Sequence, residues 1–343
     1  MPEKVTTVSG PINPESLGIV LPHEHLLWDL RCWAHPEPKD ISERVKVRAP
    51  VSLENRGHVV YHLLHYLDNL CLTDIEVVID EVKKYRNAGG STICDVTPYG
   101  LGRDPAVQSR ISQETDVHIV MGTAFYVESA WNSEEKKMSV SDIKRKILGE
   151  FENGVGPMHI KPGILGEIGV SDIENPLERK SLKGSAMVQH EIDCPVIVHT
   201  PIWEKEGNAI LDIIEKNGGD IRKVVLSHLD PTMHDLDYAD SLAKRGAYIE
   251  YDLFDTHIMS FEGEFLPSDN ERIETILEQI RRGNLEHILI SHDTCMKIKL
   301  TRWGGHGYAH ILENIVPRLL KRGLSREQID MLLIENPKRF LAW

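Results

Sequence analysis

The 343-residue chain is predicted to be an α/β protein, a parallel (β/α)8 barrel with a short N-terminal extension. Three observations carry this expectation. Short apolar or β-branched runs recur eight times, at 18–21, 92–96, 118–122, 163–168, 195–198, 223–227, 247–251 and 287–291. Amphipathic stretches of helical spacing lie between them, such as "TDIEVVIDEVKKYRNAGG", "SDIKRKILGEFENG", "NAILDIIEKNGG" and "ERIETILEQIRRG", each closing on glycine. No Ser/Gly linker, internal repeat or low-complexity tract divides the chain, so 1–343 reads as one TIM-barrel domain. A doubly wound open sheet shares the alternation. It lacks its nucleotide-binding fingerprint here, because no G-x-G-x-x-G or G-x-x-x-x-G-K-[ST] follows any of the runs.

Taken in order, the runs place polar residues at corresponding ends. The first leads into "VLPHEHLLWDL", residues 20–30. His23 and His25 are two apart, so on an extended strand both point to one face. An apolar core gains nothing from two neighbouring titratable rings, whereas a metal ion does. Glu24 points the other way and reads as a structural group or a support for its neighbours. The fourth run carries Glu167 in "GILGEIG", the fifth ends on His199 in "CPVIVHT", and the sixth on His228 in "VVLSHLD". The seventh is followed by "DLFDTHIMSFEGEFLPSDN", long enough for a lid, with His257 a candidate substrate contact. The eighth, "ILISHDT", brings Asp293, and the same alternation turns His292 outward.

In a parallel barrel these carboxyl ends converge on the face where barrel enzymes hold their active sites. Four histidines and two carboxylates there suit divalent zinc, manganese, cobalt or iron. A lone strand-end histidine is ordinarily a hydrogen-bonded structural group. Six such residues at matching ends point jointly to metal.

Composition narrows the partners. Hydrophobic residues make up 41% and charged residues 27%, ordinary for a globular protein. The net charge of −14 opposes binding to nucleic acid or an anionic membrane. No apolar run approaches the roughly 20 residues that span a bilayer, and "MPEKVTTVSGPINPESLG" lacks a signal-peptide profile. Cys32, Cys71, Cys94, Cys194 and Cys295 are odd in number and form no C-x-x-C pair. They read as reduced thiols of a cytoplasmic protein, with Cys194 and Cys295 packed beside site residues. The expected partner is a small-molecule substrate, and a homodimer is left open.

With those residues in view, the chain resembles the phosphotriesterase-like family of the amidohydrolase superfamily. The resemblance runs through "VSGPINPESLGIVLPHEHLLWDL", "VTPYGLGRDP", "GTAFYV", "KPGILGEIG", "CPVIVHTP", "SHLDP", "ISHDT", "GGHGYAHIL" and "MLLIENPKRFL". It implies that His23, His25 and Asp293 hold a more buried metal, and that His199 and His228 hold a more exposed one. It also implies a fourth-strand bridge, either a carboxylated lysine or a glutamate. Glu167 is in phase with the other candidates, whereas Lys161 lies at the opposite end of its strand, so the chain looks like the glutamate-bridged branch. Tyr126 in "GTAFYV" resembles the aromatic lining the family pocket, with a core tyrosine as the alternative.

The expected cofactor is therefore two divalent ions, zinc first, with manganese, cobalt or iron as alternatives. Two such ions roughly 3.5–4 Å apart share a water and polarise a carbonyl or phosphoryl oxygen. The expected reaction is hydrolysis of a lactone or carboxylic ester by the bridging hydroxide, with Asp293 as proton shuttle. The alternatives are an amidase acting on N-acyl compounds, a phosphotriester hydrolase, and a non-catalytic metal-binding regulatory barrel. Asp230 is a candidate support for His228 or an ordinary loop aspartate. The loop "TCMKIKLTRWGGHGY" carries Lys297, Lys299, Arg302 and Trp303. Arg302 is the candidate there for binding an anionic substituent of the substrate, against solvated surface charge.

Overall fold

The computed structural model describes residues 3–256, 259–261 and 263–343. Eight parallel strands form a nearly closed barrel: β1 (Val20–Glu24), β2 (Thr92–Asp95), β3 (His118–Thr123), β4 (Ile164–Gly169), β5 (Val196–His199), β6 (Val224–Leu226), β7 (Tyr248–Tyr251) and β8 (Ile288–Ile290). Each pairs with the next from β1 to β8. Every expected run forms a strand, with bounds shifted by a few residues. β1 differs most, because it runs on through Pro22 to Glu24. Proline has no N–H for the ladder, and the pairing of β1 with β2 changes register between Leu21 and Glu24.

Helices cover the outside: α1 (Ile75–Asn87), α2 (Pro105–Thr115), α3 (Val140–Asn153), α4 (Pro176–Ile192), α5 (Gly207–Lys216), α6 (Leu236–Lys244) and α7 (Asp269–Arg281). Local chemistry starts them. The side chains of Asp74, Asp104, Asn175 and Asp235 accept first-turn N–H groups, and Ser139 and Ser268 close reciprocal capping boxes with Asp142 and Glu271. After β8, two helical stretches, 311–321 and 326–341, complete the ring. None of the helices described is long and apolar enough to cross a membrane.

The barrel interior is apolar at one end and polar at the other. Val20, Val120, Ile164, Ile197, Val225 and Leu289, each from a different strand, pack below as one cluster. Val5, from the antiparallel pair Val5–Thr7 with Gly10–Ile12, and Phe340 of the last helical turn join them. The N-terminal extension thus helps to close the bottom of the barrel. Water-excluding packing there leaves the carboxyl ends of the strands as the place for polar groups.

The seam between β1 and β8 is held by a different device. The Asp293 N–H donates to the His23 carbonyl at 3.2 Å, and Ser291 Oγ lies 2.7 Å from the same oxygen. Buried Glu24 accepts the N–H groups of His292 and Thr294, each at 2.9 Å, and pairs with His292 Nδ1 at 2.6 Å. The outward-turned residues of "HEH" and "SHDT" therefore staple the barrel while their neighbours face inward.

The segment between β1 and α1 is the largest departure from the expected pattern. It carries short helices at Ile41–Val47 and Arg56–Val59, and a two-residue pairing of Trp28–Asp29 with Cys71–Leu72. Elements of this length show no hydrophobic period, so no sequence pattern announced them.

Candidate active site

At the carboxyl end of the barrel one carboxylate stands at the centre. Glu167, on β4, is buried. Its Oε1 lies 3.2 Å from His25 Nε2. Its Oε2 lies 3.0 Å from His199 Nδ1, 3.7 Å from His228 Nε2 and 3.6 Å from His23 Nε2. Asp293 Oδ1 lies 3.2 Å from His25 Nε2 and 3.9 Å from His23 Nε2. Donor atoms of His23, His25 and Asp293 form one compact group, and those of Glu167, His199 and His228 form another. The six expected residues are thus brought together.

The opposite ring nitrogens are held from behind. Asp252, just past β7, places Oδ1 2.9 Å from His228 Nδ1 and Oδ2 3.1 Å from His23 Nδ1. Glu250 approaches His23 Nδ1 at 3.3 Å and accepts from Ser227 Oγ at 2.9 Å. His25 Nδ1 meets Thr97 Oγ1 at 2.9 Å, and that hydroxyl donates to Asp95 at 2.5 Å. Each contact fixes which nitrogen faces Glu167. His228 and Asp293 also sit at positive φ, 60° and 49°. A left-handed backbone at a non-glycine residue costs on the order of 1–3 kcal/mol. It is restrained here by the His228 N–H bond to Asp252 Oδ1 at 3.1 Å and by the Lys299 ammonium, which binds the carbonyls of His292 and Asp293.

The charges show what the site requires. Burial alone would lower His25 and His228. Hydrogen bonds to Asp293 and Glu167 instead lift His25 to about 9, and the Asp252 carboxylate lifts His228 to about 10. His199 goes down, through burial and the His228 charge beside it. Burial would raise Glu167, but its three histidine partners hold it well below the ordinary carboxylate range. Burial and the neighbouring Asp252 push Glu250 up to about 7. Buried carboxylates surround these rings and demand positive charge, from protons or from bound cations. His23 Nε2 is buried and has no hydrogen-bond partner, as suits a nitrogen reserved for a metal.

A cavity of about 310 Å³ opens above His199, His228 and Asp293. Tyr126 lines it, its hydroxyl 3.3 Å from His199 Nδ1. The Trp33 indole N–H donates to that hydroxyl at 3.3 Å.

A sequence model described as the Phosphotriesterase family matches residues 3–341. The chain belongs to the phosphotriesterase family. It is 36% identical to an "N-acetyltaurine hydrolase" of Danio rerio and 36% identical to the one of Homo sapiens, each over 99% of this chain and 98% of the relative. Among solved structures, a "Resiniferatoxin-binding protein from Rhodobacter sphaeroides" superposes with a TM-score of 0.96 at 37% identity, covering 98% of this chain and 94% of that one. A Deinococcus radiodurans "PTE-like lactonase" mutant, at 23% identity and a TM-score of 0.78, shares the fold over 98% of this chain and 99% of its own. Membership of the phosphotriesterase family makes the chain a hydrolase rather than a non-catalytic metal-binding barrel.

Within this phosphotriesterase-family barrel the other expected residues scatter. Lys161 is exposed and precedes β4, at the far end of the strand from Glu167. Asp230 is buried, but it does not touch His228. It pairs with buried Arg272 and accepts the backbone N–H of Asp252 at 3.1 Å, so it holds the end of β7. Arg302 is exposed beside Trp303 and lies outside the cavity wall, so this geometry does not meet the expectation that it binds substrate. Lys299 is buried rather than solvated. Cys295 places Sγ 3.6 Å from Asp293 Oδ2, and Cys194 is buried below. His257 lies outside the described residues. Sequence reasoning missed Asp252 and Glu250, although "EYD" shows the same two-residue period as "HEH".

Proposed function

We propose that this chain is a metal-dependent hydrolase that cleaves the amide bond of an N-acyl compound. The observation that carries the proposal is Glu167 at the centre of a buried site, its Oε1 facing His25 and its Oε2 facing His199, with His228 and His23 farther from Oε2. A carboxylate so placed suits two divalent cations, and the nitrogen-rich donor set suits zinc first. In this reading His23, His25 and Asp293 would hold one ion and His199 and His228 the other, with Glu167 available to both groups. The choice of an amide rests on the relatives named for N-acetyltaurine hydrolysis.

Bound divalent ions polarise an acyl oxygen and make water nucleophilic near neutral pH. The residues of the chain supply orientation and proton transfer. Asp293 faces the histidines with Oδ1, and its Oδ2 lies beside Cys295 on the cavity wall. From there it accepts a proton and delivers it to the departing nitrogen. Burial and the Glu167 charge keep Tyr126 protonated, so its O–H is available to an acyl oxygen. Asp252 and Thr97 keep the histidine rings in register while charge moves.

A second reading, hydrolysis of a lactone or ester, is favoured by the largely apolar cavity wall. The test is a panel of N-acyl amides, γ-lactones, carboxylic esters and aryl phosphotriesters, assayed with the zinc-loaded and the chelated protein. Amide hydrolysis lost on chelation and restored by zinc is expected. Lactones or esters turned over a hundredfold faster than every amide would move the assignment to the second reading. No chelator-sensitive hydrolysis of any member would overturn both.

A further inference from the structure

The cavity above the metal site has a chemistry of its own. Two segments far apart in sequence supply much of its apolar wall. Leu63, Leu64 and Leu70 come from the segment after β1, and Met259, Phe261 and Leu266 from the loop after β7. Trp33 sits between these groups and the site, its ring 6.3 Å from Phe261 and 6.1 Å from His199. Among the described residues, and apart from the site histidines, Lys299 is the one cation on this wall. It is buried, and its ammonium is occupied by the carbonyls of His292 and Asp293. The other charged wall residues, Asp293 and Glu204, are acidic.

From this we infer that the substrate carries an uncharged, apolar group, a medium-length alkyl or aryl substituent, seated between Trp33, Phe261 and the leucines of the first segment. A sulfonate, carboxylate or phosphate at that position would lose its hydration among apolar side chains, and among the described residues it would meet no free cation to replace it. An alkyl group there gains from burial instead. The substrate preference therefore diverges from the small sulfonated amide for which the relatives are named. The inference rests on the proposed hydrolytic site but does not depend on which acyl bond is cut.

The test uses the zinc-loaded full chain with three amides: N-acetyltaurine, N-hexylacetamide and N-hexanoylmethylamine. Each buried methylene is worth roughly a factor of four in binding. At least one hexyl or hexanoyl compound should therefore exceed N-acetyltaurine by about tenfold or more in kcat/KM. An equal or higher value for N-acetyltaurine would overturn the inference. Hexyl esters or alkyl lactones run in parallel separate the two proposals. If they are cleaved and no amide is, the choice of bond fails, and the binding comparison of N-hexylacetamide with N-acetyltaurine decides the apolar preference.

If nothing is cleaved, calorimetric titration with N-hexylacetamide and N-acetyltaurine still decides. Tighter binding of the hexyl compound by about tenfold is expected, and comparable or reversed affinities would sink the idea. Leu64→Trp fills the wall and should move the preferred chain length from hexyl toward ethyl. This ratio is read within one sample and is insensitive to the fraction folded. An unchanged length preference in this variant would remove that wall from substrate binding.

Discussion

Asp293 and Glu167 are both carboxylates at strand ends, yet their surroundings assign them different work. Glu167 is enclosed by histidines on both oxygens, whereas Asp293 keeps one oxygen on the cavity wall. Asp293→Asn preserves size and one oxygen donor but cannot take up a proton. Its kcat should fall by a factor on the order of 10²–10⁴. The fall should be steeper for amides and alkyl lactones than for activated aryl esters, whose leaving groups depart without protonation. Metal content must be measured on the same sample, and a fully metallated variant with normal amide turnover would exclude Asp293 as the shuttle. Glu167→Gln should lose most bound metal together with activity. Lys161→Ala, altering an exposed residue at the far end of β4, should keep both, and loss of metal in that variant would point to a carbamate bridge instead.

At the scale of elements, the seam between β1 and β8 concentrates risk. The Glu24 carboxylate accepts from two backbone N–H groups and from the His292 ring, all of them buried. Removing a hydrogen-bonded partner from such a site leaves buried donors unpaired, at about 1–3 kcal/mol each. Glu24→Ala should therefore lower unfolding stability by roughly 3–5 kcal/mol in a denaturant titration. A change below about 1 kcal/mol would mean that backbone pairing alone closes the barrel. The same seam carries His23 and Asp293 on its inward side, so loosening it should also weaken metal retention before global unfolding.

At the scale of the whole molecule, the carboxylate-rich site couples stability to pH and to metal. In the metal-free protein His25 and His228 titrate near 9 and 10, above the unfolded value of about 6.5. Groups raised on folding stabilise fully below the unfolded pKa, and the contribution is lost as pH rises through the folded one. The chelated protein should therefore lose Tm between pH 6.5 and about 10. Asp293, lowered to about 2 mainly by its hydrogen bond from His25 against the opposing effect of burial, contributes above the unfolded carboxylate value, and that part is lost only in strong acid. A bound divalent cation would take the place of the protons, so the loaded protein should keep its Tm over the alkaline window, and loading near neutral pH should release protons into a weak buffer. At free metal a hundredfold above Kd, loading adds about 2.7 kcal/mol. A chelated protein whose Tm rises from pH 6.5 to 9.5 would contradict this account, as would an active protein holding fewer than two ions per chain.

Strand alternation and local spacing determined much of this protein from sequence alone. They announced the eight strands, the inward set of His23, His25, Glu167, His199, His228 and Asp293, and the outward turn of Glu24 and His292. The facing of His23 and His25 away from Glu24 is a period-two property written in neighbouring residues, and the other members were legible from their positions at strand ends. The pairing of Glu24 with His292, the placement of Asp252 behind two histidines, and the burial of Lys299 were decided only by closure of the barrel. So was the meeting of Trp33 with Phe261, from segments more than two hundred residues apart. Arg302 makes the same point from the other side: a basic residue in the right loop is exposed beside Trp303, outside the cavity wall. A local pattern specifies which way a side chain points from its own strand. Which side chains it meets there depends on how strand ends and intervening loops converge, and that is a property of the closed barrel.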